Sequence, residues 1–245
     1  MRSRSYTLAF ALAAGFLAHL AGSGPAWGTP AAAPTGVVVA RYNFDGGSGA
    51  VLDASGNGHT MTLVSSHGGK LVPVVHGSGR GVEFPAKCSG RACPHAVLES
   101  RSSSDLNPGA RPLAYGATIR LARSQTTKGQ NVVQKGYSKT SSQYKLQVDG
   151  VAGRPSCVLV GDRRPGIRLV RSSVSVADGA WHTVACRRLG DRFSILVDGT
   201  TRGVMAIPAT LSVTNARPLT IGGKGAYRDN DQFQGAVDDV WVRIG

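Results

Sequence analysis

The chain has 245 residues, with 28 Lys and Arg against 14 Asp and Glu, a formal net charge of +14, and only 6% aromatic residues. Its basic residues are scattered, with Arg163-Arg164 and Arg187-Arg188 the only adjacent pairs, which argues against a basic nucleic-acid arm; so few aromatics also argue against a stacking platform for single strands. The excess charge suits loose, salt-sensitive attraction to anionic polymers such as acidic polysaccharide or cell-wall phosphate.

The first stretch reads as a secretory signal peptide over residues 1–28: Arg2 and Arg4, then the apolar run LAFALAAGFLAHLAG, then a small-residue cleavage zone. Ala26 and Gly28 suit the −3 and −1 positions of a cut after Gly28, and a cut slightly later, in TPAAAP, is the alternative. The apolar run is short for a membrane span and His19 interrupts it. Cleavage leaves 26 basic residues against 14 acidic, a net charge of +12. Residues 29–36 form a short leader, and 37–245 form one domain.

From Val37 onward the pattern is strand after strand: VVVARYNF, TMTLV, GVEF, AVLES, GATIRLAR, NVVQKG, YKLQV, CVLVG, IRLVRSSVSV, WHTVACRR, FSILV, LTIGG and DVWVRI. DGG, SGNG, HGG, NPG, RPG and GKG supply the turns between them. In YKLQV, Tyr144, Leu146 and Val148 share one face and Lys145 and Gln147 the other, the alternation of a sheet with one buried face. With 33 glycines and no helical period after the leader, the chain is predicted to be all-β, a two-sheet antiparallel sandwich of jelly-roll type.

Four cysteines in an exported chain imply disulfides. Three pairings are possible. Cys88 with Cys93 would pinch the short SGRA turn, and Cys157 with Cys186 would bridge two strand-like runs, expected to be neighbours; this is the favoured pairing. A zinc site is the weaker alternative, because C-x4-C has no matching second pair.

Three segments carry a resemblance: YNFDGGSGAVLDASGNGHTMTL (42–63), DGAWHTVACRRLGDRFSILVDG (178–199) and PLTIGGKGAYRDNDQFQGAVDDVWV (218–242). In this order they resemble a bacterial secreted laminin G-like domain of the concanavalin A-like lectin/glucanase superfamily. The resemblance implies a jelly roll whose first and last strands are adjacent, and a binding role far more often than catalysis. It also implies a calcium ion between the first segment and the last strand. Asp45, Asp53 and Asn57, with Ser55 nearby, offer oxygens in the first segment. Asp238 is preferred over Asp239 in the last, since strict alternation lets only one point each way. A rim site from Asp229, Asn230 and Asp231 is the rival, and a turn-forming role for all of these residues is the bland alternative.

Catalysis is disfavoured. His182 and Cys186 sit four apart in a strand, roughly 13 Å, too far for direct proton transfer, and no Asp or Asn is evidently placed to orient the His. The only two Glu, Glu83 and Glu99, lack an acidic neighbour two residues away, so the paired carboxylates of a glycosidase are missing. For ligand binding the candidates are Tyr227, Arg228, Asp229, Asn230 and Asp231, whose chemistry suits hydroxyl-rich ligands. Tyr115 and Tyr137 are further candidates for exposure near loops, whereas Trp181 and Trp241 read as core. The hairpin Asp162–Arg171 carries four Arg, suited to an anionic polymer or to a soluble sheet edge, the favoured reading. The expected partner is carbohydrate or an anionic cell-surface polymer, bound outside the cell; a protein-interaction or adhesion module is the competing class, and a diverged glycan-active enzyme the third.

Overall fold

β-Branched and alternating runs fold into fifteen strands in a computed structural model that describes residues 36–46, 50–163 and 166–245. The signal peptide and all of the leader except Gly36 lie outside the described residues, as do Arg164 and Pro165 of the basic hairpin. In chain order the strands are β1 Val37–Tyr42, β2 Met61–Ser66, β3 Val72–His76, β4 Gly79–Glu83, β5 His95–Ser100, β6 Leu113–Arg120, β7 Gln130–Gly136 and β8 Gln143–Asp149. There follow β9 Arg154–Val160, β10 Arg168–Arg171, β11 Trp181–Leu189, β12 Arg192–Val197, β13 Thr200–Ala206, β14 Leu219–Ile221 and β15 Ala236–Ile244.

All pairings are antiparallel. One sheet runs β13-β12-β11-β6-β15-β4-β3, with β1 added on β15 as its eighth strand. The other runs β10-β9-β8-β7-β14-β5-β2. The first and last strands pair directly, Val37 opposite Ile244 through Tyr42 opposite Val240. This is a two-sheet sandwich, and the predicted fold class stands. The two strands without a sequence signal, β3 and β13, are the edges of the eight-stranded sheet. Edge strands bury little, so their alternation is faint; Pro73 in β3 is tolerated because an edge leaves part of the ladder unpaired.

The core lies between the sheets. Val184, Cys186, Phe193, Ile195, Val237, Val240 and Val242 of one sheet meet Leu98, Val133, Tyr144, Leu146, Cys157 and Ile221 of the other. Lys135 shares the inward parity of Val133, and its Nζ donates to the carbonyls of Asn215 (3.0 Å) and Arg217 (2.7 Å). Burial pushes this ammonium down to about 8, opposed only in part by Asp105.

Both expected disulfides form, Cys88–Cys93 and Cys157–Cys186. The second corrects the neighbouring-strand expectation: Cys157 is on β9 and Cys186 on β11, in different sheets, with Cα atoms 5.6 Å apart. The bridge therefore crosses the core and staples sheet to sheet. It also leaves no thiol for catalysis. His182 is nonetheless oriented by carboxylates, contrary to the sequence reading: Nδ1 lies 2.8 Å from Asp198 Oδ2 and Nε2 lies 3.1 Å from Asp178 Oδ1. Asp198 reaches it from the hairpin after β12, a contact no local spacing reveals.

Candidate functional site

Strand register aligns a polar row across the outer face of the seven-stranded sheet: Thr62, Glu99, Thr220, Gln134 and Lys145 lie side by side on β2, β5, β14, β7 and β8. Their sequence neighbours Leu98, Ile221, Val133 and Leu146 point into the core, so alternation sends this row outward. Part of the row is then covered by the chain itself. The segment from Gly222 to Gly235 folds across the sheet, and Gln232 holds it there: its Oε1 accepts from Ala96 N (3.0 Å), and its Nε2 donates to Ala96 O (2.9 Å) and Gly222 O (2.8 Å). Asn131 N donates to Asp231 O at 2.8 Å, and the Tyr137 hydroxyl donates to Lys224 O at 2.8 Å.

The predicted rim residues sit on this cover and divide by role. Tyr227, Arg228 and Asp229 are exposed. Asn230 is only 1% exposed and donates to Gly225 O at 2.5 Å, so it closes the loop from within rather than facing a ligand. Asp231 is half-buried in an ion pair with Lys224. Tyr115, a candidate for exposure, is fully buried, its hydroxyl donating to the carbonyls of Lys145 and Val158. Tyr137 is half-buried, with the Arg217 guanidinium 5.3 Å from its ring centroid.

Beside this cover lies a groove of about 750 Å³ lined by Asn57, Thr62, Glu99, Arg101 and Ser103 among others. Glu99 stands between groove and cover. A Cβ added to Gly225 would lie 2.8 Å from the Tyr227 ring and 3.9 Å from Glu99 Oε1, so a glycine here lets the loop bring Tyr227 and Glu99 together. No described residue hydrogen-bonds or ion-pairs with the Glu99 carboxyl, and burial raises its pKa above the usual carboxylate range. Burial likewise raises the Tyr137 hydroxyl, with Tyr227 and Glu99 adding to it. Lys145 is pushed down by burial, and Asp231 opposes that shift. The arrangement offers a carboxyl, two phenol rings and flanking cations to a hydroxyl-bearing ligand. The sequence signal of Glu99 as a site residue is a lone acid at an outward position of the apolar strand HAVLES in a basic chain, not a partner two residues away.

The outer face of the eight-stranded sheet differs. Trp181 and Trp241 are not core; they lie half-buried on this face, because the parity of β11 that enters the core is Val184 and Cys186. Trp241 lies against Gly116, and with Arg41, Thr118, Thr183 and Asp239 it frames a depression of about 260 Å³. Arg120 and His76 both lie against the Trp181 ring.

Among the described residues, Asp45, Asp53 and Asp238 do not form a group whose carboxylate oxygens all lie within 4.8 Å of one another. Asp53 organises its own turn: Oδ1 accepts from Arg41 N (3.0 Å) and Ser55 N (2.9 Å), and Oδ2 from His59 N (3.0 Å). Burial raises the Asp53 pKa, but these hydrogen bonds outweigh it and hold the carboxyl below the usual range. Asp45 Oδ1 accepts from Arg80 N, and the Asn57 amide donates to the carbonyls of Val38 and Val39. Of these contacts only Asp53 with Ser55 N is a turn within its own backbone, whereas Asp45 and Asn57 tie their segment to backbone groups of β4 and β1. Among the described residues, His76, Asp238 and Asp239 are the one group of three metal-type side chains whose ligand atoms all lie within 4.8 Å. The alternation argument that set Asp238 against Asp239 fails at a bulge between Asp238 and Trp241.

Comparison with known proteins follows this geometry. The chain is similar in fold to the binding domain of Paraclostridial Mosquitocidal Protein 1 (13% identity, TM-score 0.64, covering 84% of this chain and 48% of that one). It is similar to domain 4 of an extracellular arabinanase from Geobacillus stearothermophilus, solved with arabinotriose (14% identity, TM-score 0.64, 86% and 93%). It is also similar to the binding domain of botulinum neurotoxin DC in complex with SialylT (10% identity, TM-score 0.58, 84% and 47%). The chain thus spans about half the length of the toxin domains and nearly all of the arabinanase domain. No curated protein matches it. The described residues contain no helix long and apolar enough to cross a membrane. Residues 102–243, more than half of the chain, match the Laminin_G_3 family model, and the protein belongs to the concanavalin A-like lectin/glucanases superfamily.

Proposed function

We propose that the protein is an exported, non-catalytic module that binds carbohydrate in the groove beside Glu99. One observation carries this reading: a half-buried carboxyl without a protein partner at the wall of a groove large enough for a sugar chain, with Tyr227 on the cover beside it. Sugars are recognised by aromatic faces together with a few hydrogen-bonding groups, and Arg101, Ser103 and Thr62 supply the latter. Arabinotriose in the complex of the arabinanase domain makes arabino-oligosaccharides a rational first probe. The family and the binding domains of similar fold support binding over catalysis. Among its described lining residues the groove has one carboxyl, where glycoside hydrolysis ordinarily uses two. Two disulfides and a signal-like N-terminus support export.

A glycan array at low and high salt tests the reading. Binding of a neutral glycan that survives high salt supports it; binding only to acidic polymers, lost with salt, reduces it to charge attraction. Glu99→Gln and Tyr227→Ala are each expected to weaken binding about tenfold, about 1.4 kcal/mol. Release of reducing sugar from a polysaccharide panel would overturn the non-catalytic part. A protein-interaction module on the same rim is the second reading, favoured if the array is blank; a neurotoxin binding domain of similar fold was solved with rat synaptotagmin II.

A further inference from the structure

Resting on the carbohydrate reading of the groove, we propose that the protein selects amino sugars: the free ammonium group of a glucosamine-type residue pairs with Glu99 and lies against the ring of Tyr227. Strand pairing explains why this carboxyl is free. Opposite Glu99 stand Thr62 of β2 on one side and Thr220 of β14 on the other, neither of them charged. Neither hydroxyl turns to the carboxyl: Thr62 Oγ1 donates to the Glu99 carbonyl at 3.4 Å, and Thr220 Oγ1 to the Gln134 carbonyl at 3.3 Å. The cation of the same row, Lys145, stands three strands away, roughly 14 Å at ordinary strand spacing.

Nearby charges are committed elsewhere or stand apart. On the cover, Lys224 pairs with Asp231, and the Arg217 guanidinium lies over the Tyr137 ring. His59 in the groove wall has its Nε2 2.8 Å from Asp105 Oδ2, so that acid is also taken. Arg101, exposed in the same groove, forms no ion pair with Glu99. The chain has 28 basic residues against 14 acidic ones, yet none of them reaches this half-buried carboxyl. Burial makes its bare charge costly, so an incoming cation gains most here.

Gly225 leaves the opening. Apart from the residues adjoining it in the chain, the Tyr227 ring and Glu99 Oε1 are all that a Cβ placed there would meet within 4 Å. Carboxyl and ring therefore border one small gap. An ammonium in it donates charge-assisted hydrogen bonds to Glu99 and is drawn to the ring of Tyr227, which is 51% exposed. A hydroxyl brings no charge, and an N-acetyl nitrogen brings one proton and no charge. Thr60 and Ser102 line the groove for the hydroxyls of the sugar. The overall charge of +14 works the other way. Non-specific attraction favours acidic sugars, so a preference for an amine is the signature of this one carboxyl.

The test titrates the full chain, by calorimetry, with β-1,4-linked trisaccharides of glucosamine, N-acetylglucosamine and glucose, which differ only at carbon 2. At neutral pH and physiological salt the wild-type chain is expected to bind the glucosamine form at least about tenfold tighter than either of the others, a comparison that needs no variant to fold. Glu99→Gln is expected to bring the three to parity, and Asp105→Asn to leave the preference in place. No advantage for the glucosamine form, an advantage that survives Glu99→Gln, or equal binding of a lysine tripeptide would each overturn the selection. If a neutral glycan binds on the array and the amino form has no advantage, the selection fails alone. If the array is blank and no trisaccharide binds, the carbohydrate reading fails with it.

Discussion

The two outer faces of the sandwich come from the same alternating pattern and meet opposite fates. On the seven-stranded sheet the outward side chains are amides, hydroxyls and a few charges, and many are buried because the segment from Gly222 to Gly235 lies on them. Gln134 and Thr220 are 2% and 3% exposed, though they point away from the core. That burial is tolerable because the polar groups bond to each other and to the covering chain. On the eight-stranded sheet no described segment covers the centre, and two tryptophans, Trp181 and Trp241, with Arg41 and Arg120 beside them, stay half-open. An outward position is therefore not an exposed one; what lies above it decides.

The comparison can be broken in order of expected effect. Replacing Cys157 and Cys186 by Ala removes the one staple shared by both sheets, and should cost about 3–4 kcal/mol in urea denaturation on the loop-closure model for a separation of 29 residues. Removing Cys88–Cys93, which closes a loop with a separation of 5, should cost clearly less. Gln232→Ala attacks only the covered face: it removes the side-chain partner of the Ala96 amide and carbonyl, while the Gly222 carbonyl keeps Phe233 N, a loss of about 1–3 kcal/mol. Trp241→Ala, on the open face, should cost less than that and leave glycan binding unchanged; equal losses at the two sites would erase the distinction between the faces. Millimolar calcium is expected to leave the melting temperature unmoved, because Asp45, Asp53 and Asn57 are already committed to backbone groups; a clear rise with calcium, reversed by chelator, contradicts this.

The smallest effect is pH-dependent and sits at the end of the β11–β12 hairpin. Burial by itself lowers the His182 pKa, but the carboxylates of Asp198 and Asp178 outweigh it and raise it above 6.5. The stability this gives is fully present below the unfolded value of 6.5 and is lost as pH rises through the folded value. Asp178, held down mainly by Ala180 N and His182, contributes above its ordinary value of 3.8 and loses that as pH falls. Wild type should melt above His182→Gln near pH 5.5, with the gap closing by pH 8.5; a gap that widens toward alkaline pH contradicts the assignment.

Much of the fold was legible. YKLQV and FSILV alternate over a core their apolar residues enter, and Asp-Gly and Gly-rich turns punctuate the strands. The missed strands, VPVVH and TTRGVMA, are edges, where little burial means little pattern. The site was less legible. Tyr227, Arg228 and Asp229 were found and face solvent, but Asn230 of the same run is internal. Glu99 is not legible as a site residue from spacing, because a binding carboxyl needs no partner at i+2, the spacing that marks a catalytic pair.

The sequence by itself determined the all-β class, the turns, and the parity of each strand, because side chains alternate with period 2 whatever the surroundings. Only the tertiary structure decided which parity meets the core, which outer face is covered, and where parity fails. Those depend on contacts between distant segments: Cys157 with Cys186 across the core, Gln232 on Ala96, and the pairing of β15 with β6 through a bulge that brings Asp238 and Asp239 to one side. Even a lysine, Lys135, turns inward once the carbonyls of Asn215 and Arg217, some eighty residues away, are there to receive it.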